Sequence, residues 1–217
     1  MEAHAVPRPR LRGVLHAWSF FAAVAAGIVL VVLAEGGRPR LAAWLYAVTL
    51  ATMLGASVLH HRGPWSSASV RAWIRRLDHA AIYLFIAGTY TPFALLAFGG
   101  RLGTAILVIV WAGAAAGLLL KLVWVDAPAL AAALPYLVLG WIGVVALPEL
   151  FAATGAAVAV LVIAGGGLYT LGALTFVLRR PDPLPAVFGF HEVFHLLVVV
   201  AAALQYAAVS LVVLGHG

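Results

Sequence analysis

The sequence contains no cysteine, and only 9% of its 217 residues are charged. The absence of cysteine excludes disulfide bonds and thiolate metal ligands, so any metal ion has to be bound by histidine, carboxylate or water. The scarcity of charge excludes an ordinary soluble domain, in which about a quarter of the residues are charged. With 65% hydrophobic residues and a mean hydropathy of +1.10, the composition indicates an integral membrane protein.

Seven apolar runs, separated by charged or histidine residues, predict an all-α bundle of seven membrane-spanning helices. Each run can cross a hydrocarbon core, which needs about 20 helical residues. The first run is too long for a cleaved signal peptide, so we interpret it as a retained helix. We predict a basic tail at 1–12 and a single domain at 13–217. The predicted spans are 13–34, 41–59, 80–100, 102–120, 127–148, 150–178 and a last one from near His191 to about Leu214.

The basic residues are distributed unevenly between the predicted spans. Ten of the 13 lysines and arginines fall in four segments on one side of the topology, and only Arg38, Arg40 and Arg101 fall on the other. Because basic segments are retained in the cytoplasm, the sequence predicts a cytoplasmic N-terminus and an external Gly217. This topology explains the net charge of +6 better than nucleic-acid binding does.

The segment 67–77 has a helical pattern of its own between the second and third spans. Its apolar residues recur with the spacing of one helix face: Val70, Trp73, Ile74 and Leu77. This pattern predicts a short amphipathic helix that lies at the inner membrane surface. Asp78 follows it and needs a partner so close to hydrocarbon. That partner is either Arg75 or Arg76, or a metal-bound water or ligand histidine.

The motif His191-Glu192-Val193-Phe194-His195 opens the last apolar run. In a helix, both imidazoles project from one face, one turn apart, which suits two nitrogen ligands of one metal ion. The alternative is a pair of interfacial histidines that only end a membrane helix.

A second polar cluster ends the second predicted span. Ser57 and His61 are four residues apart and share a helix face, whereas His60 lies about 100° away around the helix. This spacing favours His61 as the histidine that faces the bundle interior, although Ser57 could instead bond to a carbonyl group of its own helix. We interpret His16, near the start of the first span, as an interfacial histidine, with a place beside the metal site as the alternative.

The predicted topology brings five polar residues from three spans to one depth on one side: Ser57, His61, Asp78, His191 and His195. Three imidazoles with one open coordination position are typical of catalytic zinc, whereas a fourth protein ligand would indicate a structural site. Asp78 could orient or deprotonate a water molecule in the open position.

Three motifs, in this order, resemble the hemolysin III family. That family belongs to the progestin and adipoQ receptors and is related to the alkaline ceramidases. The motifs are Ser57-x-x-x-His61, Leu77-Asp78 with Ile82 and the run Ala87–Pro92 after it, and His191-x-x-x-His195 followed by Leu196-Leu197-Val198-Val199. The resemblance implies a seven-helix bundle in the bacterial plasma membrane, with zinc near the cytoplasmic face. It also implies that His61, His191 and His195 bind the zinc and that Asp78 and Ser57 lie beside it.

This sequence departs from the family pattern at two positions. His60 stands where the family has an aromatic residue, which adds a rival metal ligand. Gln205 stands about where the family often has a further histidine.

The function expected from these features is zinc-dependent, ceramidase-like hydrolysis of a membrane lipid. An N-acyl lipid is the first choice of substrate and an ester-linked lipid the second. The alternative is a non-enzymatic membrane protein, receptor-like or cytolytic, in which the zinc is structural. A transporter is a third option, but no charged residue sits clearly at mid-membrane.

Overall fold

The described part of the computed structural model comprises residues 9–124 and 126–215. Most of the predicted tail and the predicted external Gly217 therefore lie outside the described residues. Within them there is no strand, and seven helical segments are long and apolar enough to cross a membrane. This confirms the prediction of an all-α, seven-span bundle.

The first four spans contain one long helix each. These are α1 (Val14–Leu33), α2 (Arg38–Arg62), α3 (Ala68–Pro92) and α4 (Gly100–Val123). A π-helical turn, Phe93–Ala97, extends the third span beyond Pro92. Pro92 has no N–H for the regular helix ladder, so a distortion at this position agrees with the kink that proline predicts.

The fifth span is interrupted, whereas the sixth and seventh are continuous. α5 (Ala129–Trp141) is followed by a 3-10 turn, Ile142–Ala146, and by α6 (Leu147–Thr154). The sixth span is α7 (Ala156–Leu178) and the seventh is α8 (Phe190–Leu214).

The segment after Ser67 is helical, as predicted, but it is not a separate interfacial helix. It forms the first turns of α3, which runs unbroken from Ala68 to Pro92. No glycine or proline lies between Ala68 and Ala87, so nothing in the backbone interrupts the helix there. Asp78 therefore lies within a regular helix, and the helical backbone fixes the direction of its Cα–Cβ bond.

The predicted boundary between the fifth and sixth spans, near Glu149, is wrong. Glu149 lies in the first turn of α6, where its carboxylate interacts favourably with the helix dipole. The chain reverses at Gly155 instead, which has φ +80°. Glycine adopts this conformation readily because it has no Cβ, so the glycine and not the charge marks the boundary.

The third span is the most buried of the seven, while the first and fifth are the least buried. α3 packs between α2 and α4, α7 packs against α8, and α8 also contacts α1 and α2. Large apolar side chains such as Trp18, Phe21 and Val145 remain exposed on the outer surface of the bundle. This surface suits a bilayer, where lipid rather than water surrounds the helices.

Candidate metal centre

The three predicted metal ligands lie together at one end of the bundle. His61 lies in the last turn of α2, while His191 and His195 lie in the first two turns of α8. Their ligand nitrogens all lie within 4.8 Å of one another. We call this end, where α1, α3 and α8 begin and α2, α4 and α7 finish, the histidine end.

The geometry of these side chains fits a zinc ion. His61 Nε2 and His191 Nε2 are 3.3 Å apart. Two nitrogens that bind one tetrahedral zinc ion at about 2.0–2.1 Å would be roughly 3.3 Å apart. A donor set of three imidazoles without thiolate also suits copper, iron or nickel, so the residues define a nitrogen site more firmly than they define the metal.

Asp78 lies beside the imidazole triad and is only 8% exposed. Its Oδ2 is 4.0 Å from His61 Nε2, beyond direct hydrogen-bonding distance. The predicted arginine partners are engaged elsewhere, since Arg75 pairs with Asp126 and Arg76 donates to the carbonyl oxygen of Leu122. The carboxylate of Asp78 is therefore directed toward the histidines and not toward a neighbouring arginine.

Ser57 and His16 complete the cluster from the second and first spans. His16 Nδ1 is 2.7 Å from Ser57 Oγ, and the side chain of Ser57 also interacts with Asp78. The His16 ring stacks on that of His195, with 3.8 Å between centroids and 5° between planes.

The interfacial interpretation of His16 is wrong, because this residue is 3% exposed and contacts the ligand cluster. The one available signal was its depth, since it begins an apolar run at the same end as the other histidines. Its partner could not be predicted from helical spacing, because Ser57 lies 41 positions after His16.

The segment before α1 packs over the cluster. The N–H groups of Arg10 and Leu11 donate to the carbonyl oxygens of Ala186 and Val187. Arg12 Nε lies 2.7 Å from Glu192 Oε1, and Glu192 Oε2 accepts a hydrogen bond from the N–H of Gly189. Glu192, between the two histidines of the α8 motif, therefore anchors this segment and the start of the helix and does not join the donor set.

A cavity of about 520 Å³ extends from the histidines into the bundle. Its polar lining at the histidine end includes Ser57, Asp78 and the cluster histidines. Away from that end, its lining is mainly apolar and comes from α3, α5, α7 and α8. Three of its large apolar lining residues are also exposed on the bundle surface: Trp141, Val144 and Ile163. The cavity lining therefore reaches the outer surface of the bundle between the fifth and sixth spans.

These features define an integral membrane protein with seven spanning helices and a polar, histidine-rich centre at one end of an apolar cavity. The chain matches the family described as Haemolysin-III related over residues 4–206, and it belongs to that family. This confirms the membership predicted from the three sequence motifs.

Bacterial and animal proteins are similar to this chain. Hemolysin-3 of Bacillus cereus is 39% identical over 138 residues, which cover 64% of this chain and 60% of that protein. The Hemolysin-3 homolog of Bacillus subtilis is 36% identical over 133 residues, 61% of this chain and 60% of that protein. The human monocyte to macrophage differentiation factor is 24% identical over 197 residues, 89% of this chain and 79% of that protein. The matched regions thus span about 60% of the bacterial relatives.

Proposed function

We propose that this protein is a zinc-dependent hydrolase that cleaves the acyl bond of a membrane lipid. An N-acyl amide is the first choice of bond and an ester the second. One observation carries the proposal: three imidazoles with a carboxylate beside them lie at the polar end of a mainly apolar cavity of about 520 Å³. Such a cavity has the size and lining typical of small-molecule sites.

In this proposal His61, His191 and His195 hold the ion and leave one position open for water or substrate. When bound, zinc supplies a water molecule of lowered pKa and polarises a carbonyl group. Asp78 accepts the proton of the attacking water at a carboxylate oxygen. Ser57 holds the carboxylate in place, and His16 holds Ser57 through the 2.7 Å contact between Nδ1 and Oγ.

The cavity also supports an orientation for the substrate. The polar head would lie among the histidines, where the acyl carbonyl can reach the ion. The acyl chain would lie against the apolar lining of α3, α5 and α7. A lipid could enter between the fifth and sixth spans, past Trp141 and Ile163, without leaving the bilayer.

We further propose that the histidine end faces the cytoplasm and that the protein resides in the plasma membrane of a bacterium. The proposal rests on the side that carries ten of the 13 basic residues. Reporter domains fused to the two termini test it, because seven spans require the reporters to be active on opposite sides.

The test of hydrolysis compares Asp78→Asn with wild type in lipid nanodiscs. We expect Asp78→Asn to keep the zinc ion held by the three imidazoles but to lose at least about 100-fold in turnover of a labelled N-acyl lipid, since general-base catalysis contributes about 10²- to 10⁴-fold. Asp126→Asn is the matched control. It removes a carboxylate that lines the same cavity and pairs with Arg75, and it should leave turnover nearly unchanged.

The alternative is a non-enzymatic membrane protein with a structural zinc ion, and the names of the two bacterial relatives favour a cytolytic version of it. Under that alternative, wild type and Asp78→Asn would show the same background turnover across amide and ester lipids. Equal leakage of dye from vesicles by both proteins would then support lysis without hydrolysis. Equal turnover by wild type and Asp78→Asn on both amide and ester lipids would overturn the hydrolase proposal.

A further inference from the structure

A second set of donors lies beside the imidazole triad. His60, His61 and Asp78 offer three ligand atoms that all lie within 4.8 Å of one another. The ring of His60 is 4.6 Å from that of His61 and 6.5 Å from that of His79, measured between centroids. All four side chains line the same cavity.

We propose that His60 and Asp78 bind a second divalent metal ion, with His79 as the nearest additional imidazole. The inference rests on the first zinc site and adds to the proposed function. His61 Nε2 faces His191 Nε2 at 3.3 Å, which assigns that nitrogen to the first ion. Because an imidazole nitrogen binds one ion at a time, the second ion depends on His60 and Asp78 as its protein donors.

The two ions would lie side by side. His61 belongs to both donor sets, and no ligand atom in either set is more than 4.8 Å from another. Catalytic two-metal sites hold their ions about 3.5–4 Å apart. Asp78 has two carboxylate oxygens, so it can contact the second ion and still face the open position of the first.

Two cationic side chains lie near the second set of donors. Lys121 is buried with its Nζ 5.7 Å from the centroid of the Tyr136 ring, which faces the ammonium group with its negative face. Arg75 lines the cavity, but it forms an ion pair with Asp126, so its charge is offset where it lies. With one imidazole and one carboxylate as the principal donors, the second ion is bound more weakly than the first, which has three imidazoles. Loading should therefore occur in two steps, and imidazole with carboxylate suits zinc or manganese in the weaker site.

The experiment counts zinc ions in full-length protein purified without a polyhistidine tag. Metal-free protein is titrated with zinc against a fluorescent chelator, and the content after gel filtration is measured by mass spectrometry. His4→Ala and His216→Ala in every protein remove the terminal histidines as adventitious ligands. Wild type should bind two zinc ions per chain, the second at least about tenfold more weakly than the first.

His60→Phe and His191→Ala separate the two sites. His60→Phe keeps an aromatic ring at this position without nitrogen donors, and it should bind only the tighter ion. His191→Ala removes a donor of the first set alone and should keep the weaker ion. In wild type loaded with two cobalt ions, magnetic coupling in the electron paramagnetic resonance spectrum should show that the ions are adjacent.

Three outcomes would overturn the second site. These are a single zinc ion in saturated wild type, two ions in His60→Phe, or none in His60→Phe, which would make His60 a ligand of one shared ion. Failure of the hydrolase proposal is distinguishable from all three. Two coupled ions in a protein that turns over no lipid would refute hydrolysis and leave the second site in place.

Discussion

The two ends of the bundle use glycine differently. At the end opposite the histidines, the turns contain Gly37, Gly100 and Gly155, and a Cβ added at any of them would meet nothing within 4 Å. At the histidine end, a Cβ at Gly13 would lie 2.6 Å from the Cβ of His61, and one at Gly189 would lie 2.8 Å from Asp182 Oδ1. The three turn glycines at one end reverse the chain in open space, whereas Gly13 at the other lets the backbone approach a candidate metal ligand.

Burial of charge follows the same asymmetry. Among the described residues, every buried histidine or charged side chain lies at the histidine end: His16, Asp78, Lys121, Glu192 and His195. Burying such groups is unfavourable unless they are paired or bind an ion. The protein thus buries its ionisable side chains where the candidate metal ligands converge. The other end of the bundle only connects one helix to the next.

Gly13→Ala should produce the largest effect that distinguishes the two ends. Gly13 has φ +73° and ψ +2°, in the left-handed region, whereas Gly37 has φ +76° and ψ −132°. Alanine at Gly13 carries a backbone strain of about 1–2 kcal/mol, and alanine at Gly37 carries at least as much, because that conformation suits glycine almost alone. Only Gly13→Ala also collides with His61. We therefore expect it to weaken zinc binding by about tenfold or more, as loss of an outer support of a metal ligand does.

Gly37→Ala is the matched control and should bind zinc with the affinity of wild type. Isothermal titration with a competing chelator measures both affinities, and thermal unfolding measures how far each variant is destabilised. Equal zinc affinities in the two variants would show that the close packing at Gly13 does not position His61.

Variants of His16 should have smaller effects, which sharpen the comparison within the histidine end. His16→Phe can keep the ring that stacks on His195 but loses the hydrogen bond to Ser57. His16→Asn can keep a polar atom near the position of Nδ1 but loses the ring. We expect His16→Asn, which lacks the ring, to bind zinc about tenfold more weakly. We expect His16→Phe, which lacks the polar atom, to turn over lipid about tenfold more slowly. Parallel losses of both properties in both variants would indicate a structural role alone.

The sequence was sufficient for the spans because membrane helices need long apolar runs with few interruptions. Spacing placed Ser57 on the same face as His61, and topology brought both to the end that holds Asp78 and His191. The same reasoning gave the correct place of His16 only as the alternative, because its contacts cross between the first, second and seventh spans. Such contacts depend on how the helices pack against one another. Helical periodicity predicts which residues share a face of one helix, but it does not predict which helix that face contacts.

Local charge was a poor guide to the ends of helices. Glu149 suggested a boundary but lies within a helix, while Gly155 makes the turn. Asp78 suggested the start of a span, yet α3 begins ten residues earlier at Ala68. The ion pair of Arg12 with Glu192 was also missed, since it joins the N-terminal segment to the seventh span.

The central claim is that His61, His191 and His195 bind one zinc ion, and X-ray absorption at the zinc edge tests it most directly. Protein loaded with one equivalent of zinc should show three imidazole nitrogens at about 2.0–2.1 Å and one oxygen ligand. His60→Phe should leave this spectrum unchanged, and His191→Ala should remove one imidazole from the zinc shell or remove the zinc ion of this site. A shell dominated by oxygen in wild type, or a spectrum that His60→Phe alters and His191→Ala does not, would contradict the account.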